Sequence, residues 1–296
     1  MDNIPGNSKQ SFSRAFTLGI AINAIYVIVE VFAGIYYNSL SLISDAGHNL
    51  SDVATLGLAM VAFRLSKVRA NGQFTYGLKK STILVSLINS VILFVVIGGI
   101  LWESIMRFLH PVSVYGQAIS AVAGVGIVVN TLSALLFVRY KEHDLNVKGA
   151  FLHLIADAVV SLGVVVSGLL IVFFGIYWLD MAMSLAIVVV IFYSTWKLFR
   201  ESLFLTLDGV PRGIDLNKIS EEILSIPGVI DVHHIHVWAL STMQNALTAH
   251  VVVNFTDGTA RSLPIKQLIK TRLAGLGIQH VTLELEEQDT VCTSEC

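Results

Sequence analysis

The sequence predicts an α-helical membrane protein of six spans followed by a small α+β domain, and three observations lead there. Hydrophobic residues make up 54% of the 296 and charged residues only 14%, too apolar a balance for an ordinary soluble domain. The apolar residues gather in runs of about 20, the length that crosses a hydrocarbon core as a helix. Beyond residue 206 the composition changes, and period-two alternation appears in short runs that read as strands.

The spans are read at 15–36, 40–63, 81–105, 115–138, 149–174 and 178–199. A polar segment, 1–14, precedes a first span of full length, which argues against a cleaved signal peptide. Basic residues set the orientation. Lys9 and Arg14 lie before the first span, Arg64, Lys67, Arg69, Lys79 and Lys80 between the second and third, and Arg139, Lys141 and Lys148 between the fourth and fifth. The alternate connections carry almost none, so both termini are placed in the cytoplasm. The basic residues form no patch and the formal charge is −2, so nucleic acid is not a partner; the lipid bilayer is.

Within the second span lies Ser44-Asp-Ala-Gly-His-Asn-Leu-Ser-Asp52. An ionisable group at mid-membrane costs about 2.5–3.5 kcal/mol on insertion scales, so such groups face an interior path and carry function. His48 and Asp52 are four residues apart and share a helix face, with Asp45 on the same stripe. His153 and Asp157 repeat the spacing in the fifth span. Either pair alone reads equally well as a cap or bridge between helices. Together they supply two imidazoles and two carboxylates, a set that suits a tetrahedral divalent ion, zinc above all. Small residues (Ala46, Gly47, Ala54 and Gly57; Gly149, Ala150, Ala156, Ala158 and Gly163) would let the two helices approach closely.

The remaining intramembrane polar groups are given lesser roles. Asn23, Asn89 and Asn130 are expected to hydrogen-bond between helices, and Glu103 and Asp180, near interfaces, to be solvated. Glu30 reads as a proton carrier or as the partner of a basic group, with Asp45 as an accessory to the metal ligands.

The domain at 207–290 starts with a linker and reads helix 215–225, strand 228–240, strand 246–255, helix 262–276 and strand 279–286. The order suggests helices on one face of a three-stranded sheet. Alternation turns Val229, Ile235, Val237, Ala249, Val251, Val253, Val281, Leu283 and Leu285 toward those helices. It leaves His234, His236, Trp238, His250, His280, Glu284 and Glu286 on the open face. That face is either a second metal-binding region, with His234, His236, His250 and Glu286 in reach of one another, or a solvated polar surface. The tail, 291–296, holds both cysteines, Cys292 and Cys296; they suit a reduced cytoplasmic end, not a disulfide framework.

Three segments carry a family resemblance: Leu42-Ile-Ser-Asp-Ala-Gly-His-Asn-Leu-Ser-Asp52, Asn146-Val-Lys-Gly-Ala-Phe-Leu-His-Leu-Ile-Ala-Asp157 and Val232-His-His-Ile-His-Val-Trp-Ala-Leu240. In this order, over residues 12–290, the chain resembles the zinc-transporting branch of the cation diffusion facilitators. The resemblance implies a homodimer that exchanges cytoplasmic Zn²⁺ for protons by alternating access. It also implies a ferredoxin-like C-terminal domain that binds zinc as a regulatory ligand and tightens the dimer. The implied transport site is His48, Asp52, His153 and Asp157; the implied cytoplasmic ligands are His233, His250, His280, Glu284 and Glu286. Strict alternation turns His233 away from the open face, a conflict that a bulge or strand start at 231–233 would resolve. The short second-to-third and fourth-to-fifth connections resemble bacterial members, hence an inner membrane. Two rivals are a membrane metalloenzyme and a membrane-anchored zinc sensor. The first lacks a His-Glu-x-x-His motif and an open coordination position, so no enzyme is expected; the second does not need four intramembrane ligands.

Overall fold

The computed structural model describes residues 6–110, 112–138, 145–254 and 262–287. The cysteine tail and Phe255 lie outside them. Six long helices come first: α1 (Gly6–Tyr36), α2 (Leu40–Ser66), α3 (Ser81–Leu109), α4 (Gly116–Phe137), α5 (Leu145–Phe174) and α6 (Trp178–Thr206). They outrun several of the apolar runs, because helix continues into polar flanks where the backbone can still satisfy itself. Among the described residues, α3, α6 and the segments Gly116–Leu135 and Leu154–Phe174 are long and apolar enough to cross a membrane; Ala21–Tyr36 is a shorter apolar stretch. After them come α7 (Leu216–Leu224), β1 (Val229–Ser241), β2 (Gln244–Val253), α8 (Ser262–Gly275) and β3 (His280–Glu286).

The chain forms two compact units, Met1–Gly57 with Asn89–Lys197, and Leu58–Ile88 with Leu198–Cys296. In the first, Leu40 and Leu42 of α2, Ile97 and Ile100 of α3, Ile119 of α4, Val164 and Ile171 of α5 and Ile187 of α6 form one apolar core. Large side chains such as Phe32, Val95, Trp102, Phe173 and Tyr193 point outward, as lipid-facing residues do.

Of the small residues named for α2 and α5, a Cβ on Gly47 would meet Val96 and Ile100 of α3, and one on Gly163 would meet Met183 of α6; the side-chain surroundings of Ala54, Gly57, Gly149 and Ala150 lie outside the described residues. The tight pair is α4 with α5: a Cβ on Gly116 would strike the Gly168 carbonyl, and Ser120 Oγ donates to Val165 O at 3.1 Å. Gly126 of α4 leaves room for the hydroxyl of Tyr26 on α1.

Asp180, expected to be solvated, is instead 2% exposed. It accepts hydrogen bonds from Leu40 N (2.6 Å), Ser41 N (3.2 Å), Ser39 Oγ (2.6 Å) and Ser41 Oγ (2.5 Å). The first amides of a helix have no intrahelical acceptor, and a carboxylate placed there answers both their hydrogen bonds and the helix dipole. Arg107 of α3 donates to Asn38 O, ion-pairs with Glu103 (3.0 Å) and comes within 3.9 Å of Asp180. Neither acid is simply solvated.

In the second unit the sheet order is β1-β2-β3, with β1 antiparallel and β2 parallel to their neighbours in that order. A parallel pair needs a crossover, which α8 supplies. Ile219 and Ile223 of α7, Ile269 and Leu273 of α8, and Val237, Leu247, Ala249, Val251 and Val281 of the strands fill the core between helices and sheet. Asp215 caps α7 by accepting from Asn217 N at 2.9 Å. The connection after α2 also belongs to this unit: Tyr76 meets His280 (Oη to Nε2, 3.3 Å), Lys80 pairs with Asp208 (2.7 Å), and Thr242 N donates to Thr82 Oγ1 (3.0 Å).

Candidate metal centres

His48 stands on the first half of α2 and Asp157 on the first half of α5, 109 positions apart, yet Nε2 and Oδ1 are 3.2 Å from each other. Asp157 is 3% exposed and His48 partly buried. The side chains of Asp52 and His153 lie outside the described residues; their backbones belong to the same two helices, one turn beyond His48 and one turn before Asp157. An imidazole and a carboxylate that meet across two helices form an apt half of a tetrahedral site.

One turn before His48, Asp45 is fully buried. Ser161 Oγ donates to its Oδ2 at 3.1 Å, while Oδ1 has no hydrogen-bond partner among the described residues. Beside it lies Glu30 of α1, likewise fully buried. Glu30 accepts from Tyr26 Oη (2.8 Å) and from Asn49 Nδ2 (3.2 Å); no Lys or Arg among the described residues pairs with it. Asn23 Nδ2 donates to Ser133 Oγ at 3.3 Å, the interhelical bond expected of it. Asn130, fully buried on α4, has no described partner for either side-chain atom.

The second cluster sits on the open face of the sheet. His233 is paired across the strands with His250, and His236 with Thr248. Three residues of β1 therefore span two of β2, which is a bulge, and His234 holds the extra position at φ 49°. The bulge lies just after the 231–233 position anticipated from the sequence. Its consequence is that His233 and His236, three apart, share one face, whereas regular alternation would oppose them. A further register shift lies between Val229 and Asp231.

His233, His250 and Glu286 converge, each offering a ligand atom within 4.8 Å of the others. His250 Nδ1 is 2.5 Å from Glu286 Oε1, and His233 Nε2 is 3.2 Å from Glu286 Oε2. That second pair is close without hydrogen-bond alignment, and both atoms are buried without a described partner. Two imidazoles and a carboxylate aimed at a common point are a donor set that zinc accepts. Glu284 Oε2 lies 3.6 Å from His250 Nε2. His236 is exposed and outside the group, and His280 is taken up by Tyr76. The ring of His234, which alternation put on this face in reach of His236, His250 and Glu286, stands 5.2 Å from those of His233 and His250. The sequence signal for the bulge is the His-His doublet, since two adjacent strand residues reach one face only through a bulge.

Comparison with known proteins places these clusters in context. Residues 16–205 match the cation efflux transmembrane domain, and residues 211–288 match the cytoplasmic domain of cation efflux proteins. The cadmium, cobalt and zinc/H(+)-K(+) antiporter of Bacillus velezensis is 35% identical, with 88% of this chain and 84% of that protein covered. The zinc transporter ZitB of Pectobacterium atrosepticum is 30% identical over 96% of this chain and 87% of that protein. The metal-bound C-terminal domain of the CzcD transporter from Cupriavidus metallidurans is 34% identical, covering 25% of this chain and 99% of that structure at a TM-score of 0.23. The chain belongs to the cation efflux family, the cation diffusion facilitators that its motifs resemble.

Proposed function

We propose that this protein exports a divalent cation, zinc in the first place, from the cytoplasm in exchange for protons. The observation that carries the reading is the contact of His48 on α2 with Asp157 on α5 at 3.2 Å. Asp52 and His153 complete the tetrad from positions one turn away on the same helices. Zinc requires neutral imidazole and ionised carboxylate, so metal and protons compete for one set of groups and exchange follows from shared ligands. A rearrangement of α2 against α5 would turn the site from one side of the membrane to the other, with protonation on the far side releasing the ion. The family and its relatives' names support transport over catalysis, and nothing favours an anchored sensor.

The chain is read as six spans with both termini in the cytoplasm, a homodimer joined through its ferredoxin-like C-terminal domain, in a bacterial inner membrane. In that domain His233, His250 and Glu286, with Glu284 beside them, hold a regulatory zinc. The family description of the transmembrane domain and the family's cytoplasmic-domain match support this plan.

The test is zinc uptake into proteoliposomes under an imposed pH gradient. Wild-type flux that vanishes in Asp157→Ala and persists in His250→Ala, with an altered dependence on zinc, supports the reading. Equal flux in wild type and Asp157→Ala refutes the tetrad.

A further inference from the structure

Two carboxyls, Glu30 and Asp45, lie buried near His48 and Asp157, and among the described residues no Lys or Arg stands beside them. Arg107 and Lys197 are the only Lys or Arg side chains described in this unit; the first is engaged by Glu103 and Asn38 and the second is exposed. The donors around Glu30 are spent: Tyr26 on Oε1 and Asn49 on Oε2. Ser161 occupies Asp45 Oδ2, and Asn49, which donates to Glu30, stands one turn from Asp45 on α2. Ionised carboxylates are acceptors only, so two of them buried side by side, with an Oδ1 that no described donor serves, require a positive charge between them. Among the described residues the groups that face Glu30 are Tyr26 from its own helix and Asn49 and Asp45 from α2, with His48 and Asp157 beyond Asp45; α4 presents Val122 and Gly126, which do not titrate, to Tyr26.

A second observation points the same way. Tyr26 packs on Gly126 of α4, and one turn further along that helix the two side-chain atoms of Asn130 are buried and unpartnered. Asn23 and Ser133 continue the polar row between α1 and α4. Buried polar groups of this kind call for partners that an apolar interface does not supply.

We infer that Glu30, facing Asp45, is a counter-ion site separate from the metal ligands, that its ligand is a single proton, and that the row of Tyr26, Asn130 and Asn23 serves it. The inference rests on the transport reading and deepens it: the proton that drives export is held beside the zinc ligands as well as on them. Binding the cation at His48 and Asp157 places positive charge near Asp45, which favours release of the proton from the pair. Return of that proton accompanies the metal's departure.

The test uses the full chain in proteoliposomes with lumenal zinc and pH indicators, comparing wild type, Glu30→Gln, Glu30→Asp and Asp157→Ala. Exchange of labelled for unlabelled zinc at equal pH needs no net proton movement. Glu30→Gln is expected to keep that exchange, to lose concentrative uptake driven by the pH gradient, and to move about one proton fewer per zinc. Glu30→Asp, which retains a carboxyl, is expected to restore coupling. Wild-type proton movement in Glu30→Gln overturns the inference and leaves the transport reading intact. So does loss of exchange in Glu30→Gln as complete as in Asp157→Ala, which would make Glu30 a structural tie between α1 and α2. If a potassium gradient alone drives uptake in wild type and this is lost in Glu30→Gln, the ligand is a monovalent metal ion and the proton is refuted. Absence of pH-driven flux in wild type itself overturns the transport reading, and the inference with it.

Discussion

The imidazole of His48 and the carboxylate of Asp157 meet at 3.2 Å although 109 positions separate them. Each belongs to a four-residue His/Asp step, and the contact ties the two steps together across α2 and α5. Asp157→Asn keeps the shape and removes the charge that zinc needs. Its expected effect is loss of zinc flux with retained folding, checked by uptake and by the elution profile of the purified variant.

Because protons and zinc compete for the same imidazoles and carboxylates, apparent zinc affinity falls as pH falls and binding releases protons. Calorimetry of the full chain in buffers of different ionisation heat measures the release directly. Proton release should shrink in Asp157→Asn and again in His250→Ala, since each removes one ligand from one centre. A release insensitive to both substitutions would place the metal elsewhere.

The cytoplasmic cluster predicts a stability effect. A ligand that binds only the folded state at about 100 times its dissociation constant adds about 2.7 kcal/mol. Zinc should therefore raise the thermal midpoint of the wild type. Glu286→Gln, which removes a carboxylate that is 7% exposed and bonded to His250, should abolish the part of the shift that Asp157→Asn leaves.

How much of this was legible beforehand depended on the period of the pattern. Helical spacing put His48 with Asp52 and His153 with Asp157, because a four-residue step on a helix has one outcome. Strand alternation sorted Ala249, Val251 and Val253 from His250 correctly, and their burial follows it. It failed at His233, where one inserted residue reverses the facing of everything beyond it. Alternation put His280 on the same face, where the family resemblance implied a ligand role; its neighbour there, Tyr76, comes from a connection 204 positions away that no strand pattern reveals. Asp180 was misjudged for a similar reason: its distance from the chain's apolar centre was readable, but its service to the amides of α2, 140 positions earlier, was not.

That service makes Asp180 a stability residue. Asp180→Ala strands the amides of Leu40 and Ser41 and the hydroxyls of Ser39 and Ser41 in a buried place. Each buried group left unsatisfied costs about 1–3 kcal/mol. The expected result is a markedly lower melting temperature in detergent, with Asp180→Asn intermediate because an amide oxygen still accepts. An unchanged melting temperature would mean that water replaces the carboxylate.

The bulge at His234 allows the sharpest separation of geometry from ligand count. His234 sits at φ 49°, a left-handed conformation that costs a non-glycine residue about 1–2 kcal/mol. His234→Gly relieves that cost and keeps the extra residue, so His233 still faces His250. The variant should be at least as stable as wild type and keep the zinc-induced shift if His233, His250 and Glu286 are the ligands. Deleting residue 234 leaves two steps on each strand between the His233–His250 and His236–Thr248 pairs. Regular alternation then keeps His233 and His236 on the open face and Ile235 and Val237 toward the core. The deletion should therefore keep the zinc-dependent shift while removing the ring of His234 altogether. A deletion variant or a His234→Gly variant that lost the shift would make His234 a ligand in its own right.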